Sequence, residues 1–293
     1  MTTILSRKSV PNTHRILIED VIPTLTEFSH ITDIPMSDIH LLGSANKSDT
    51  SGDIDIALDR KIYNLDDTHR TIQRLPCITP EHSSINVGLG VCSYSFPIRS
   101  ESAFSQYKNV QLDIMFTPDV NWAQFSYFSA VHNTEYKGAV RVILLIAVAA
   151  AIDIDGIDYF QYDDDGNLLA RGGRVFDMNV GLRRIFQHRP MRKDGKGYTK
   201  TLKSIQSDDF IDLFPKASIN RNQMIISDPT EALTIMFESV VTPSEVETAE
   251  QVLKLIQTKF STEKQNKIFD IARKRASSVK DKMMLPTELI DET

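Results

Sequence analysis

The sequence predicts an α+β protein in which a mixed sheet flanked by helices is followed by a mainly helical C-terminal part. Three observations carry this. The apolar period changes from helical to alternating after residue 30, short alternating runs recur between residues 38 and 117, and helical spacing dominates from there on. A length of 293 residues is enough to bury a sizeable core in one large domain or two ordinary ones. Hydrophobic residues at 41%, charged residues at 25%, and only 12 Gly and 12 Pro exclude fibrous and low-complexity classes.

Taken in order, Ile16, Ile18, Val21, Ile22, Leu25 and Phe28 recur at helical spacing after Asn12-Thr13, so a helix to about His30 opens the chain. Asp38 to Gly43 and Asp53 to Asp59 then read as two strands joined by a polar loop, Ser44 to Gly52. A short helix from about Asp67 to Leu75 follows, and residues 84–98 and 109–116 read as further strands. Asn121 to Asn133 and Lys137 to Ile152 are the first helices of the second half, and Asp163-Asp-Asp-Gly166 marks the turn of a hairpin. The remainder is expected to be mainly helical. Thr242-Pro-Ser-Glu245 has capping-box spacing and opens a helix to about Phe260, and a basic helix runs from Thr262 to about Met284. No internal repeat is visible; the domains divide as 1–134 and 135–293.

Compartment and charge narrow the function classes. Cys77 and Cys92 are too few for a disulfide framework and lack metal-ligand spacing, which points to a reducing, cytoplasmic setting without structural zinc. The longest apolar run, Val142 to Ile152, falls well short of the ~18–20 residues needed to span a bilayer. A buried helix is expected there, and no membrane partner. The net charge is −6, yet residues 171–203 hold ten basic side chains against Asp177 and Asp194. Residues 264–282 repeat the bias more weakly.

The chemistry sits in the second strand. Asp53 and Asp55 stand at i and i+2, so pleating points both carboxylates to one face while Ile54 and Ile56 take the other. Adjacent carboxylates repel, and a site that keeps both ionised normally has a cation between them. An amphipathic strand also exposes alternate aspartates with no ion involved, so the neighbours decide. Gly43-Ser44 ends the preceding strand, where a glycine permits close backbone approach to a phosphate and a serine offers a hydroxyl and an amide. A third acid, Asp113, interrupts the apolar run Leu112-Asp-Ile-Met-Phe116. Three acids from two strands suit hard, oxygen-seeking Mg2+ in a two-ion site.

Leu42-Gly43-Ser44, the short loop, Asp53-Ile54-Asp55-Ile56 and Asp113 together resemble the DNA polymerase beta-like nucleotidyltransferase superfamily. CCA-adding enzymes, poly(A) polymerases, aminoglycoside nucleotidyltransferases and toxin-type tRNA nucleotidyltransferases belong to it. The resemblance covers about residues 35–117 and makes the N-terminal domain a nucleotidyltransferase catalytic domain. It implies Asp53 and Asp55 as ligands of two Mg2+ ions, with Mn2+ as an alternative, and Asp113 as a ligand of the catalytic ion and activator of the acceptor hydroxyl. It further implies Gly43 and Ser44 at the terminal phosphates of a nucleoside triphosphate, and Lys47 against the triphosphate. The eight-residue gap between Ser44 and Asp53 is at the short end for that family. Lys137 and Arg141, on one face of the following helix, are further triphosphate candidates. The seven histidines, including His132 and His188 in expected helices, are read as structural or surface residues.

The acceptor is read from charge. A polycationic small molecule would need an acidic pocket, whereas the basic segment 171–203 suits a phosphate backbone. An RNA 3′ end, of the tRNA kind, is therefore the expected acceptor, contacted by Arg183, Arg184, Arg189, Arg192, Lys193 and Lys196. Two alternatives remain: transfer to a small-molecule or protein hydroxyl, and a fold that has lost activity and serves nucleic-acid binding or assembly.

Overall fold

In the computed structural model, the described residues are 10–43, 49–99, 108–128, 136, 138–152, 160–162, 168–195, 197–199, 203–206, 209–210, 213 and 225–276. The chain enters through β1 (Ile16–Leu17) and α1 (Ile18–Thr32), and β1 pairs with the short β3 (Thr50–Ser51). The first sheet has the strand order β2-β4-β7-β6-β5, built from β2 (His40–Leu42), β4 (Asp53–Asp59), β5 (Ser83–Asn86), β6 (Val91–Pro97) and β7 (Asn109–Thr117). It is mixed: β4 and β7 are parallel, and the other neighbours are antiparallel.

Alternation explains the burial. Ile54, Ile56, Leu112 and Ile114 are fully buried on one face, packed with Val21, Leu25 and Phe28 from α1. The opposite face takes the carboxylates. Between β4 and β5 lies α2 (Leu65–Gln73), capped by the Asn64 side chain, which accepts from the backbone amides of Asp66 and Asp67. After β7, α3 (Val120–Ser126) is capped by Asp119 and turns its Trp122 and Phe125 into a second core.

That second core is built on α4 (Gly138–Ala151), which is buried all round, as its continuous apolar sequence requires. Around it lie α5 (Pro229–Phe237), α6 (Ala249–Lys259) and α7 (Thr262–Ala276), giving the helical C-terminal region expected from the sequence. The capping-box spacing at Thr242 is used, with the Thr242 amide donating to Glu245, but it opens a short 3-10 turn rather than a long helix. A second capping box, Thr248 with Gln251, starts α6.

One stretch departs from expectation. Residues 168–188 form the hairpin of β9 (Leu168–Asp177) and β10 (Gly181–His188), within a five-stranded antiparallel sheet that also holds β8 (Phe160–Tyr162), β11 (Lys203–Ser204) and β12 (Ile225–Ile226). His188 therefore lies in a strand rather than a helix. The cause is legible afterwards: the buried positions of the hairpin include Ala170, Phe176, Leu182 and Phe186 but also Arg174 and Arg184, and these two charges break the apolar alternation by which a strand is read. The expected turn at residues 163–166 and the end of the basic helix beyond Ala276 lie outside the described residues.

Candidate metal centre

The three acids predicted from sequence converge. Parallel register sets Asp55 directly beside Asp113 and Asp53 beside Gln111. One carboxylate oxygen from each of Asp53, Asp55 and Asp113 lies within 4.8 Å of the other two. Asp53 and Asp55 are half-buried, whereas Asp113 is only 1% exposed. Three carboxylates at this spacing, all with oxygen donors and one sunk in the sheet, could hold a hard divalent cation. Like charges held so close favour a cation bound between them.

The polar face extends further than the sequence showed. Across β7 and β6, Asp113 stands opposite Ser93 and Gln111 opposite Ser95, with both serines buried. Gln111 is the residue that sequence reasoning missed. Its side-chain amide donates to both carboxylate oxygens of Asp113, at 3.2 and 3.1 Å, while its carbonyl oxygen accepts from the Val10 amide at 3.0 Å. The signal was present as an amide at i−2 from the third acid, on the same face of the same strand.

Gly43 has a second reason to be glycine. Its φ is +62°, and a Cβ built there would sit 2.7 Å from Asp55 Oδ2. Its amide donates to the Tyr127 carbonyl just past α3, at 3.1 Å. Gly43 therefore lies against the acids themselves. Ser44 and Lys47, and likewise Lys137 and Lys196, lie outside the described residues.

Two predicted contacts are corrected. Arg141 is 1% exposed and cannot face a triphosphate in solvent. Its guanidinium donates to the carbonyls of Phe125, Ser126 and Val246, tying the end of α3 to the 3-10 turn before α6. Burial pushes it down to about 10 from an arginine's ordinary value. Arg184 is 4% exposed on the inner face of β10, so it cannot lie along a polymer at the surface. Consecutive residues of a strand point to opposite faces, and its neighbour Arg183 emerges on the outer one, paired with Asp177 at 2.9 Å. Arg189 is half-buried; Arg192 and Lys193 are exposed beyond β10, with Arg192 paired to Asp194 at 2.9 Å.

What these features define is an α+β protein whose mixed sheet carries a three-acid centre able to hold a metal, with no helix among the described residues long and apolar enough to cross a membrane. No family model and no curated protein matches the chain. Among solved structures it is similar to the polymerase beta of Leishmania infantum, in a ternary P/T complex. The identity is 11% and the TM-score 0.43, over 80% of this chain and 77% of that one.

Proposed function

We propose that the protein is a metal-dependent nucleotidyltransferase that moves a nucleoside monophosphate from a nucleoside triphosphate to a hydroxyl acceptor and releases pyrophosphate. The observation that carries this reading is the convergence of Asp53, Asp55 and Asp113 from two parallel strands onto one small volume. The sequence context agrees, with Gly43 against Asp55 and the Asp-x-Asp strand following a short polar loop.

In this reading Asp53 and Asp55 would bridge two Mg2+ ions, and Asp113 would hold the one nearer the acceptor. Bound there, such ions supply charge stabilisation on the attacking and leaving oxygens of an in-line displacement. The acceptor oxygen forms a bond to the α-phosphorus as the bond from that phosphorus to the bridging oxygen of pyrophosphate breaks. Asp113 takes the hydroxyl proton, and Gln111 keeps its carboxylate aimed while it does so. Positioning and electrostatics carry such a reaction, since it needs no covalent intermediate on the chain.

The acceptor in this reading is an RNA 3′ end of the tRNA kind, approached by the exposed Arg192 and Lys193 and by the outer face that carries Arg183. A small-molecule or protein hydroxyl is favoured instead by one observation: Arg184 is withdrawn, and Arg183 and Arg192 already have acidic partners. One experiment separates the two. The protein is incubated with Mg2+, each α-labelled ribonucleotide in turn and total RNA, beside an Asp53→Ala/Asp55→Ala control. Label entering RNA only with intact acids supports the RNA reading. Triphosphate binding without incorporation moves the acceptor to a small molecule or protein, and absence of triphosphate binding refutes the enzymatic reading.

A further inference from the structure

Residues 10–18 touch both acid-bearing strands at the end where the acids sit. Val10 is 4% exposed and its amide donates to Gln111 Oε1 at 3.0 Å, while the His14 amide donates to the Asn109 carbonyl at 2.7 Å, so two anchors lie at the start of β7. Between them the chain makes a tight turn, with Asn12 at φ +60° and the Thr13 hydroxyl donating to the Val10 carbonyl at 3.1 Å. The segment then crosses to the residues that lead into β4. Arg15 donates to the Thr50 hydroxyl at 3.0 and 2.9 Å and to its carbonyl at 2.8 Å, and β1 pairs Ile16 with Ser51, two residues before Asp53.

The Gln111 side chain is where this segment meets the acids. A carboxamide has one accepting and one donating end, and Gln111 is buried, so its neighbours rather than water decide which end faces Asp113. A main-chain N–H can only donate. Val10 therefore takes the Oε1 end, which leaves Nε2 to the two Asp113 oxygens at 3.2 and 3.1 Å. The reversed amide would set donor against donor at Val10 and oxygen against carboxylate at Asp113, two buried mismatches at once. Gln111 also lies beside Asp53 in the parallel register, so the same group borders the acids of both strands. We propose that the Val10 amide is a positioning group of the metal centre: residues 10–18 form a strap that orients the Gln111 amide and through it holds the Asp113 carboxylate in the geometry that takes the metal. This rests on the reading of the three acids as the metal centre of a nucleotidyltransferase. Coupling of this kind is reciprocal, so the strap must be held more tightly when a metal is bound.

The test is Mn2+ calorimetry on the full chain as a double-variant cycle. Val10→Pro deletes the N–H, and Pro11 already biases position 10 towards extended backbone, a region open to proline as well. We expect Val10→Pro to weaken Mn2+ binding about tenfold, as does loss of the Gln111 amide in Gln111→Leu. Because Val10 acts through Gln111, the double variant should bind about as Gln111→Leu does, whereas independent damage would add to about a hundredfold. A second readout needs no variant: exchange of the Val10 amide, followed by NMR in 15N-labelled wild-type protein, should slow about tenfold in saturating Mg2+. That measurement decides the question should Val10→Pro not fold. Wild-type affinity in Val10→Pro, additive losses in the double variant, or Val10 exchange unchanged by Mg2+ overturns the strap while the metal centre stands. A wild-type chain that binds neither ion overturns the metal centre itself, and the strap with it.

Discussion

Replacing Gly43 by alanine tests how tightly the backbone is built around the acids. Two effects add. At φ +62° an L-residue pays about 1–2 kcal/mol for the left-handed conformation. The new Cβ would also stand 2.7 Å from Asp55 Oδ2, against about 3.4 Å for ordinary contact, so the carboxylate must retreat by ~0.7 Å. A displacement of about 1 Å at a reacting centre can cost ~10²-fold in rate. We expect Gly43→Ala to lose about 1–3 kcal/mol in urea unfolding and to bind Mn2+ about tenfold more weakly by calorimetry. Gly43→Asn separates the two effects, because asparagine tolerates the left-handed region but still carries the offending Cβ. It should recover much of the stability and little of the metal affinity. An alanine variant with wild-type Mn2+ affinity and unchanged stability would refute the reasoning.

Three further outcomes are expected. Gln111→Leu removes the donor to both Asp113 oxygens and the acceptor for the Val10 amide, and should weaken Mn2+ binding about tenfold while costing roughly 1–2 kcal/mol in urea unfolding. Arg141→Met removes the guanidinium that donates to the Phe125, Ser126 and Val246 carbonyls, so roughly 3 kcal/mol of stability should be lost in the same assay; a triphosphate ligand would instead show weaker nucleotide binding at unchanged stability. His69 is buried beside Tyr94, its Nδ1 2.7 Å from the hydroxyl, and burial holds its pKa below the ordinary value near 6.5. The unfolded chain then binds the proton first, so stability is present above about pH 6.5 and falls as pH drops below it. Unfolding curves collected between pH 7.5 and 5 should show this slope, and His69→Gln should flatten it.

The three-acid centre was legible because strand geometry makes it local. Asp53 and Asp55 share a face by pleating alone, and Asp113 had nowhere to go from an apolar strand except the polar side. Gln111 was less visible, since an amide in a strand reads as ordinary surface until its partner's register is known. The second sheet escaped for a different reason. Its inner positions include Arg174 and Arg184, and a charge at a buried position breaks the pattern that defines a strand. The basic segment was correspondingly read as one surface, although a strand divides consecutive arginines between two faces. Arg141 misled in the same way, because a lone arginine in an apolar helix reads as an exposed edge when its partners are carbonyls far away in sequence.

The link between the two sheets runs through α3. Trp122 Nε1 donates to the Asp177 carbonyl at 2.8 Å, and Ser126 Oγ to the Met178 carbonyl at 2.7 Å. The Tyr127 hydroxyl donates to Asn179 Oδ1 at 3.1 Å, so the turn of the β9–β10 hairpin is held by the helix that follows the third acid. The other end of the same connection is Gly43, whose amide donates to the Tyr127 carbonyl and where an added Cβ would meet Asp55. Arg141 fixes the last carbonyls of α3 from below. The first sheet also holds the turn directly, because Thr117 Oγ1 at the end of β7 donates to the Asn179 carbonyl at 3.3 Å, so α3 and β7 together anchor the hairpin. Placing the hairpin with the helical region, as its sequence position does, understates it: this turn is part of what holds the polar face of the first sheet in place.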